Sequence, residues 1–114
     1  MTNFHVQLND TFRALADPTR RAVLERLGRG PASVSDLAQP FEMALPTFLQ
    51  HLKVLEDCGL IRSRKSGRVR TCELRPKRLT HAEQWLSGQR ALWTKRLDQL
   101  DAFLLTLKAK DTSP

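Results

Sequence analysis

The sequence predicts a mainly α-helical protein with one small β-hairpin, in the order of four helices, a hairpin and one long helix. Three observations lead to this fold class. Apolar residues recur at helical spacing over most of the 114 residues. A β-prone stretch on both sides of "KSG" interrupts this spacing and predicts a hairpin with Ser66-Gly67 at its tip. Helical spacing then returns after "RPKR" and continues almost to the end. The length suits one domain over residues 1–114.

The first two helices have readable limits. The first is predicted over residues 4–16 from apolar residues at helical spacing, Phe4, Leu8, Phe12 and Leu15. The second follows in "ADPTRRAVLERLGRG", where Asp17 can cap the helix and Pro18 suits its first position. Gly28 or Gly30 is expected to end it.

A short helix, a tight turn and a longer helix are predicted over residues 33–59. Ser33 or Ser35 can cap the short helix in "SVSDLAQ", Pro40 ends it, and "FEMA" is the turn. The longer helix begins at Leu45, and Gly59 is suited to end it in the left-handed conformation. This is the pattern of a helix-turn-helix, whose second helix enters the major groove of DNA.

The helix from Leu45 has two unlike faces. At about 100° per residue, one face is apolar and predicted to be buried: Leu45, Phe48, Leu49, Leu52 and Leu55. The other carries Pro46, Thr47, Gln50, Val54 and Asp57, with His51 at its margin. Gln pairs naturally with adenine, and Thr can bond base edges or phosphates. The predicted DNA contacts are Pro46, Thr47, Gln50, His51 and Lys53. An ordinary amphipathic surface helix remains an alternative for this stretch alone, and His51 suits packing or a phosphate contact.

The formal charge is concentrated in one segment. Residues 62–78 hold eight basic residues and one acidic residue, so their net charge of +7 equals that of the whole chain. A basic hairpin directly after a helix-turn-helix is typical of a wing, here residues 61–74, which would contact the DNA backbone or minor groove. The predicted contacts are Arg64, Lys65, Arg68 and Arg70. The alternative is a hairpin whose charges are only solvated, but this would not explain why the excess positive charge is confined to one segment.

The last helix is predicted over residues 79–109. Its apolar residues fall seven apart at Leu79, Leu86, Trp93, Leu100 and Leu107, and the stripe is widened by Leu97, Phe103 and Leu104.

The segments "FRALADPTRRAVLERL" and "SVSDLAQPFEMALPTFLQHLKVLEDCGLIRSRKSGRVRTCEL" resemble the ArsR family of winged-helix transcriptional regulators. "LADPTRR" and "HLKVLEDCGLI" are the most specific pieces, and the tail "WLSGQRALWTKRLDQLDAFL" is similar to a subgroup with two tryptophans on the last helix. The resemblance implies a homodimer that binds a partly palindromic operator, usually as a repressor. It also implies that the first and last helices, residues 1–16 and 79–109, form the dimer interface. The interface residues expected are Phe4, Leu8, Phe12, Leu86, Trp93, Leu97, Leu100 and Leu104.

Two positions depart from the family pattern. Family members often have Ser in place of Ala44, and Ser-Arg in place of Leu49-Gln50. Ala44 cannot cap the recognition helix, and Gln50 brings no charge to the phosphates. Base recognition is therefore expected to be weaker or directed at A·T pairs, with a larger share of the affinity from the wing and a strong salt dependence.

Many relatives in this family release DNA when a metal binds. One kind of site uses Cys-x-Cys in the first helix of the helix-turn-helix, where this chain reads "SVSDLAQ". Another uses Asp and His on the last helix, where His81 and Glu83 are two apart and do not share a face. We therefore predict no metal and no cofactor. Cys58 and Cys72 are interpreted as free thiols or as a redox pair, and nearby Arg70 is expected to lower the pKa of Cys72.

The sequence disfavours several function classes. It has no nucleophile–base spacing, phosphate-binding glycine loop or carboxylate pair, so an enzyme is not expected. It lacks a membrane-spanning run and the basic-then-apolar start of a signal peptide, which predicts a cytoplasmic protein without a membrane partner. The main prediction is a DNA-binding regulator whose partners are duplex DNA and a second copy. The alternatives are a regulator switched by Cys58 and Cys72, and a basic winged helix that binds RNA or an acidic protein.

Overall fold

The structure is a computed structural model that describes residues 4–111, with the side chains of residues 5–110. Within this range the chain forms five helices and three strands. In order these are α1 (Phe4–Leu15), α2 (Pro18–Leu27), β1 (Ala32–Ser33), α3 (Val34–Ala38), α4 (Leu45–Asp57), β2 (Ile61–Ser66), β3 (Val69–Leu74) and α5 (Lys77–Asp111). The predicted fold class, mainly helical with a small hairpin, is confirmed.

One strand was not predicted. β1 pairs with β3 through Ala32 opposite Cys72 and Ser33 opposite Thr71, so the hairpin becomes a three-stranded antiparallel sheet in the order β1-β3-β2. A two-residue strand is too short to show an alternating pattern, and its hydrogen bonds come from a segment about 40 residues away along the chain. The sheet joins the start of the helix-turn-helix to the wing.

The helix starts follow the local sequence. Asp17 accepts a hydrogen bond from the backbone N–H of Arg20 at 3.1 Å, and Ser33 accepts one from the N–H of Asp36 at 3.1 Å, so α2 and α3 are capped as predicted. Ala44 precedes α4 and supplies no side-chain cap. The first turn of α4 therefore keeps backbone N–H groups without a side-chain acceptor.

The end of α4 is fixed by Gly59. Its φ of +74° is the left-handed conformation, and the N–H of Leu60 donates to the carbonyl of Leu55 at 2.9 Å. The N–H of Gly59 donates to the carbonyl of Glu56 at 3.0 Å. This pair of bonds is a Schellman motif, which reverses the chain and leads it directly into β2.

The hairpin turns one residue later than expected. Ser66 pairs with Val69, so the loop is Gly67-Arg68, whereas the sequence placed the tip at Ser66-Gly67. Gly67 has a φ of +63°, and no residue other than glycine has a positive φ in the described range. Positive φ at the first loop position alone is the pattern of a type II′ turn, which suits the twist of a hairpin. Arg68 therefore stands at the tip of the wing.

The chain divides into two compact units, Met1–Ala82 and Glu83–Pro114. The first has a core contributed by α1 to α4 and the sheet, whose largest fully buried side chains are Phe48, Leu55, Leu60, Ile61, Val23, Thr11 and Cys72. The second consists of α5 from Glu83 onward and exposes large apolar side chains along its length. No helix within residues 4–111 has the length and hydropathy needed to cross a bilayer.

Candidate nucleic-acid interface

α4 presents a polar outer surface. The side chains of Phe48, Leu52 and Leu55 are buried in the core. The residues predicted to contact DNA from the opposite surface, Pro46, Thr47, Gln50 and Lys53, are all exposed. The helix is thus anchored along one side and leaves its outer side open.

The margins of α4 differ from the prediction. Leu45 is 53% exposed and Leu49 is 38% exposed, although both were expected in the core. Val54, expected on the outer face, is half-buried and packs against the core. The buried arc is centred on Phe48, Leu52 and Leu55, and a helical-wheel projection cannot locate that centre because neighbouring elements determine it.

His51 connects α4 to the start of α2. Its Nδ1 lies 3.3 Å from Nη1 of Arg20 and 3.8 Å from Oδ2 of Asp17. The same guanidinium donates to the carbonyls of Ala14 at 2.8 Å and Arg13 at 3.1 Å. The side chain of His51 is half-buried, so the packing interpretation is supported and its Nδ1 is occupied within the protein.

The carboxylate of Asp17 has an altered pKa. Desolvation by burial acts to raise this pKa, but the backbone hydrogen bond from Arg20 and the nearby charges of His51 and Arg20 outweigh it. The net pKa lies below the ordinary value. The charged form of Asp17 therefore caps α2 and faces the histidine of α4.

Lys53 is only loosely held. Its Nζ lies 3.5 Å from Oδ2 of Asp57, one turn further along α4, and both side chains are largely exposed. An exposed pair of this kind contributes about 0.3–0.5 kcal/mol. Lys53 can therefore leave Asp57 for a phosphate at little cost.

The wing carries unpaired positive charge. Arg62, at the base of the hairpin, pairs with Glu73, its partner across the strands. Beyond this pair, the four predicted wing contacts are exposed and form no ion pair with another described residue: Arg64, Lys65, Arg68 and Arg70. Lys65 and Arg70 face each other directly, a like-charge pairing that destabilises a sheet. A bound polyanion would relieve the repulsion between these two charges.

A cleft separates α4 from the hairpin. Its volume is about 370 Å³, and its walls include Leu49 and Lys53 from α4 with Ser63 and Arg70 from the hairpin. Ser63 donates a hydrogen bond from Oγ to Oε1 of Glu56 at 3.0 Å, which fastens the C-terminal end of α4 to β2. The lining is mixed in charge, because Glu56 and Asp57 accompany Lys53 on the α4 side, while Arg70 lies on the hairpin side.

The two cysteines are free and buried. Burial raises the pKa of Cys58, and the charges of Asp10 and Asp57 raise it further. Burial also raises the pKa of Cys72, with an added contribution from Glu56. Arg70 does act to lower the Cys72 pKa, but it is outweighed, so the expectation of a lowered pKa is wrong. Both cysteines therefore form the reactive thiolate less readily than a free thiol does, which disfavours a redox pair.

The sequence predicts no metal site. No group of three or more His, Cys, Asp or Glu side chains comes together in the part of the chain that the structure describes. The absence of a metal site stays a prediction.

The interface expected between two copies involves α1 and α5. Leu8 is 7% exposed, so little of its surface is available to a partner. Phe12 is half-buried, and the side chain of Phe4 lies outside the described residues. On α5, by contrast, Trp93 is 67% and Leu97 is 61% exposed. The remaining predicted interface residues, also exposed, are Leu86, Leu100 and Leu104.

Comparison with known proteins identifies the family. Residues 15–64 match a family of helix-turn-helix domains. The HTH-type transcriptional regulator Rv2034 of Mycobacterium tuberculosis is 40% identical over 86 residues, which cover 75% of this chain and 78% of that protein. The crystal structure of an ArsR family transcriptional regulator is 57% identical, with a TM-score of 0.77 over 82% of this chain and 97% of the other.

The chain belongs to the ArsR family of transcriptional regulators. An ArsR-like regulator from Rhodococcus sp. RHA1 supports the same conclusion, with 31% identity and a TM-score of 0.73 over 87% of this chain and 93% of that one. The fold of this ArsR protein is a winged helix-turn-helix, in which α3 and α4 are the helix-turn-helix and β2 and β3 are the wing. It is a DNA-binding regulator by family and not an enzyme.

Proposed function

We propose that this ArsR-family protein is a homodimeric repressor of the cytoplasm that binds a partly palindromic operator without a metal effector. The observation that carries the proposal is the unpaired charge of the wing beside the open outer side of α4. Arg64, Lys65, Arg68 and Arg70 have no protein partner for their charges in residues 4–111. Duplex DNA has phosphates along both edges of each groove, and these can pair with the four basic side chains.

The N-terminal half of α4 is the part suited to the major groove. Thr47 and Gln50 are exposed there, whereas Glu56 and Asp57 place negative charge at the other end of the helix. The uncapped first turn after Ala44 offers backbone N–H groups to a phosphate. Gln50 then reads adenine through its amide, and Thr47 bonds a neighbouring base edge or phosphate.

The wing holds the DNA backbone. Side chains alternate between the two faces of a strand, so Lys65 and Arg70 share the face that includes the cleft, while Arg64 points to the other face. Arg68 extends from the tip. This distribution lets the hairpin neutralise phosphates on both sides of a groove.

The α5 stripe supports association with a second copy. Trp93, Leu97, Leu100 and Leu104 follow the alternating three- and four-residue spacing of a helix–helix seam, and Leu86 lies seven residues before Trp93. All five are exposed in the single chain. A shallow groove of about 730 Å³ beside Trp85 and Trp93 offers room for a partner's side chains. In a two-fold dimer the half-sites are expected one helical turn apart, about 34–36 Å, or a multiple of it.

Selection of bound duplexes from a random pool tests the proposal. The expected result is one enriched motif with two-fold symmetry, protected from cleavage in two half-sites. Binding should persist with a metal chelator present. A structured RNA of equal length serves as the matched polyanion control and should compete only weakly. Enrichment of no motif, or equal competition by the RNA, would contradict a sequence-specific operator.

A further inference from the structure

Leu49 is an apolar residue placed among the groups proposed to contact DNA. It lies on α4 directly before Gln50 and lines the cleft with Lys53 and Arg70. Its side chain is 38% exposed, although those of Phe48 and Leu52 are buried. The exposed part of Leu49 thus adjoins charged side chains.

Two observations define the direction in which Leu49 faces on α4. His51 contacts α2, so that margin of the helix faces the start of α2. Leu49 lies at the other margin, towards the hairpin, because it borders the same cleft as Arg70. Gln50 is between the two margins, about 100° from each neighbour in sequence. A helix that brings Gln50 to a base edge therefore brings Leu49 close to an adjacent base on the wing side.

The major groove contains one exposed apolar group, the 5-methyl of thymine. Every other group on the base edges there is a hydrogen-bond donor, an acceptor or a ring carbon. An exposed leucine next to a glutamine that favours adenine matches this chemistry, since adenine and thymine methyl occur together in A·T-rich steps.

We propose that Leu49 is a specificity-determining residue, which reads a thymine 5-methyl group in each half-site through apolar contact. This rests on the proposed function, and it adds a base contact that Thr47 and Gln50 do not supply. Removing one methyl group from such a contact weakens binding about fourfold. When both half-sites lose the methyl, the effect is about 15-fold if the two contribute independently.

The test uses uracil, which is thymine without the methyl group. The probe is the symmetric duplex enriched from a random pool by the wild-type protein, with each thymine replaced in turn, in both half-sites, by deoxyuridine. Equilibrium dissociation constants are measured for wild type, Leu49→Ala and Gln50→Ala at one salt concentration. The thymine-to-uracil ratio within each protein is the readout, so a partly unfolded variant does not distort it.

The expected result is one thymine position at which replacement by uracil weakens binding by wild type about 15-fold. Leu49→Ala should lose almost nothing at that position, whereas Gln50→Ala should bind more weakly but keep the ratio. The inference is overturned if uracil is tolerated at every position by wild type, or if Leu49→Ala loses as much as wild type. In both cases a motif has been enriched, so the proposed function stands. Enrichment of no motif would overturn both.

Discussion

Asp17 links the start of α2 to the recognition helix. Its carboxylate caps α2 through the N–H of Arg20 and lies 3.8 Å from Nδ1 of His51 on α4. The pKa of Asp17 is lowered, because the hydrogen bond and positive charges outweigh desolvation. A lowered carboxyl pKa means that the charged form stabilises the folded state above the unfolded pKa of about 3.9. That contribution is lost as the pH falls through the folded-state pKa.

We predict that Asp17→Ala lowers the free energy of unfolding by about 1 kcal/mol at neutral pH, because α2 loses its cap. The difference from wild type should shrink below about pH 4. Asp17→Asn keeps a capping oxygen without the charge, so its free energy of unfolding should lie between those of wild type and Asp17→Ala. Urea denaturation at fixed protein concentration measures all three. A difference that grows as the pH falls would contradict the assigned role.

Ala44 is the second residue with a local effect on stability. It has an extended backbone and no capping side chain at the start of α4. Ala44→Ser adds the missing acceptor and should raise the free energy of unfolding by about 1 kcal/mol. Thermal denaturation of the free protein, followed by circular dichroism, tests this. Ala44→Val, which also lacks a capping acceptor, is the control with little effect expected. A serine variant no more stable than wild type would show that the first turn needs no acceptor.

The ends of the helices were easier to predict than their buried faces. Asp17 and Gly59 act on their own turns, so the sequence alone indicates where α2 begins and α4 ends. The exposure of Leu45 and Leu49, and the burial of Val54, depend on where other elements pack against α4. No periodicity within the helix carries that information.

In the hairpin, too, some features could be read from the sequence and others depended on tertiary structure. Its net charge can be counted from the sequence, but the pairing of Arg62 with Glu73 depends on strand register. β1 was missed because it exists only through pairing with β3. The candidate DNA-contacting residues were therefore predictable by type and segment, whereas their pairing and the exposure of Leu49 required tertiary structure.

For the wing, we predict that Arg68→Ala with Arg70→Ala weakens binding to all duplexes and flattens the dependence on salt. Each lost phosphate contact should remove roughly 0.9 from the slope of log K against log salt concentration. Arg62→Ala is the matched control, because Glu73 already pairs with this arginine, and its effect on the slope should be smaller. Fluorescence anisotropy at several salt concentrations measures the slope, and an unchanged slope in the double variant would remove the wing from the interface.

For the molecule as a whole, the exposed stripe of α5 is the surface proposed to join two copies. Apolar side chains from Leu86 to Leu107 are open to solvent in the single chain. Exposed apolar patches of this extent usually mark an interaction surface. The heptad spacing was readable from the sequence, but the surface that covers the stripe was not, since it lies outside the single chain.

We predict that Leu100→Glu converts the dimer to monomers, because a carboxylate would be buried in the seam between the two copies. Gln99→Glu adds the same charge one position away and should leave the dimer intact. Sedimentation velocity at equal concentrations distinguishes the species. A full-strength dimer of the Leu100→Glu variant would exclude the α5 stripe as the interface.

In the proposed complex, the outer side of α4 reads bases while the wing supplies affinity. The most direct measurement compares wild type with the Thr47→Ala, Gln50→Ala double variant on the enriched duplex and on a scrambled duplex. We predict that the variant loses most of the preference for the enriched sequence, since a good Gln–adenine pair contributes about 1–3 kcal/mol, and that it keeps its salt-dependent binding to both duplexes. An undiminished preference in the double variant would contradict base reading by this helix.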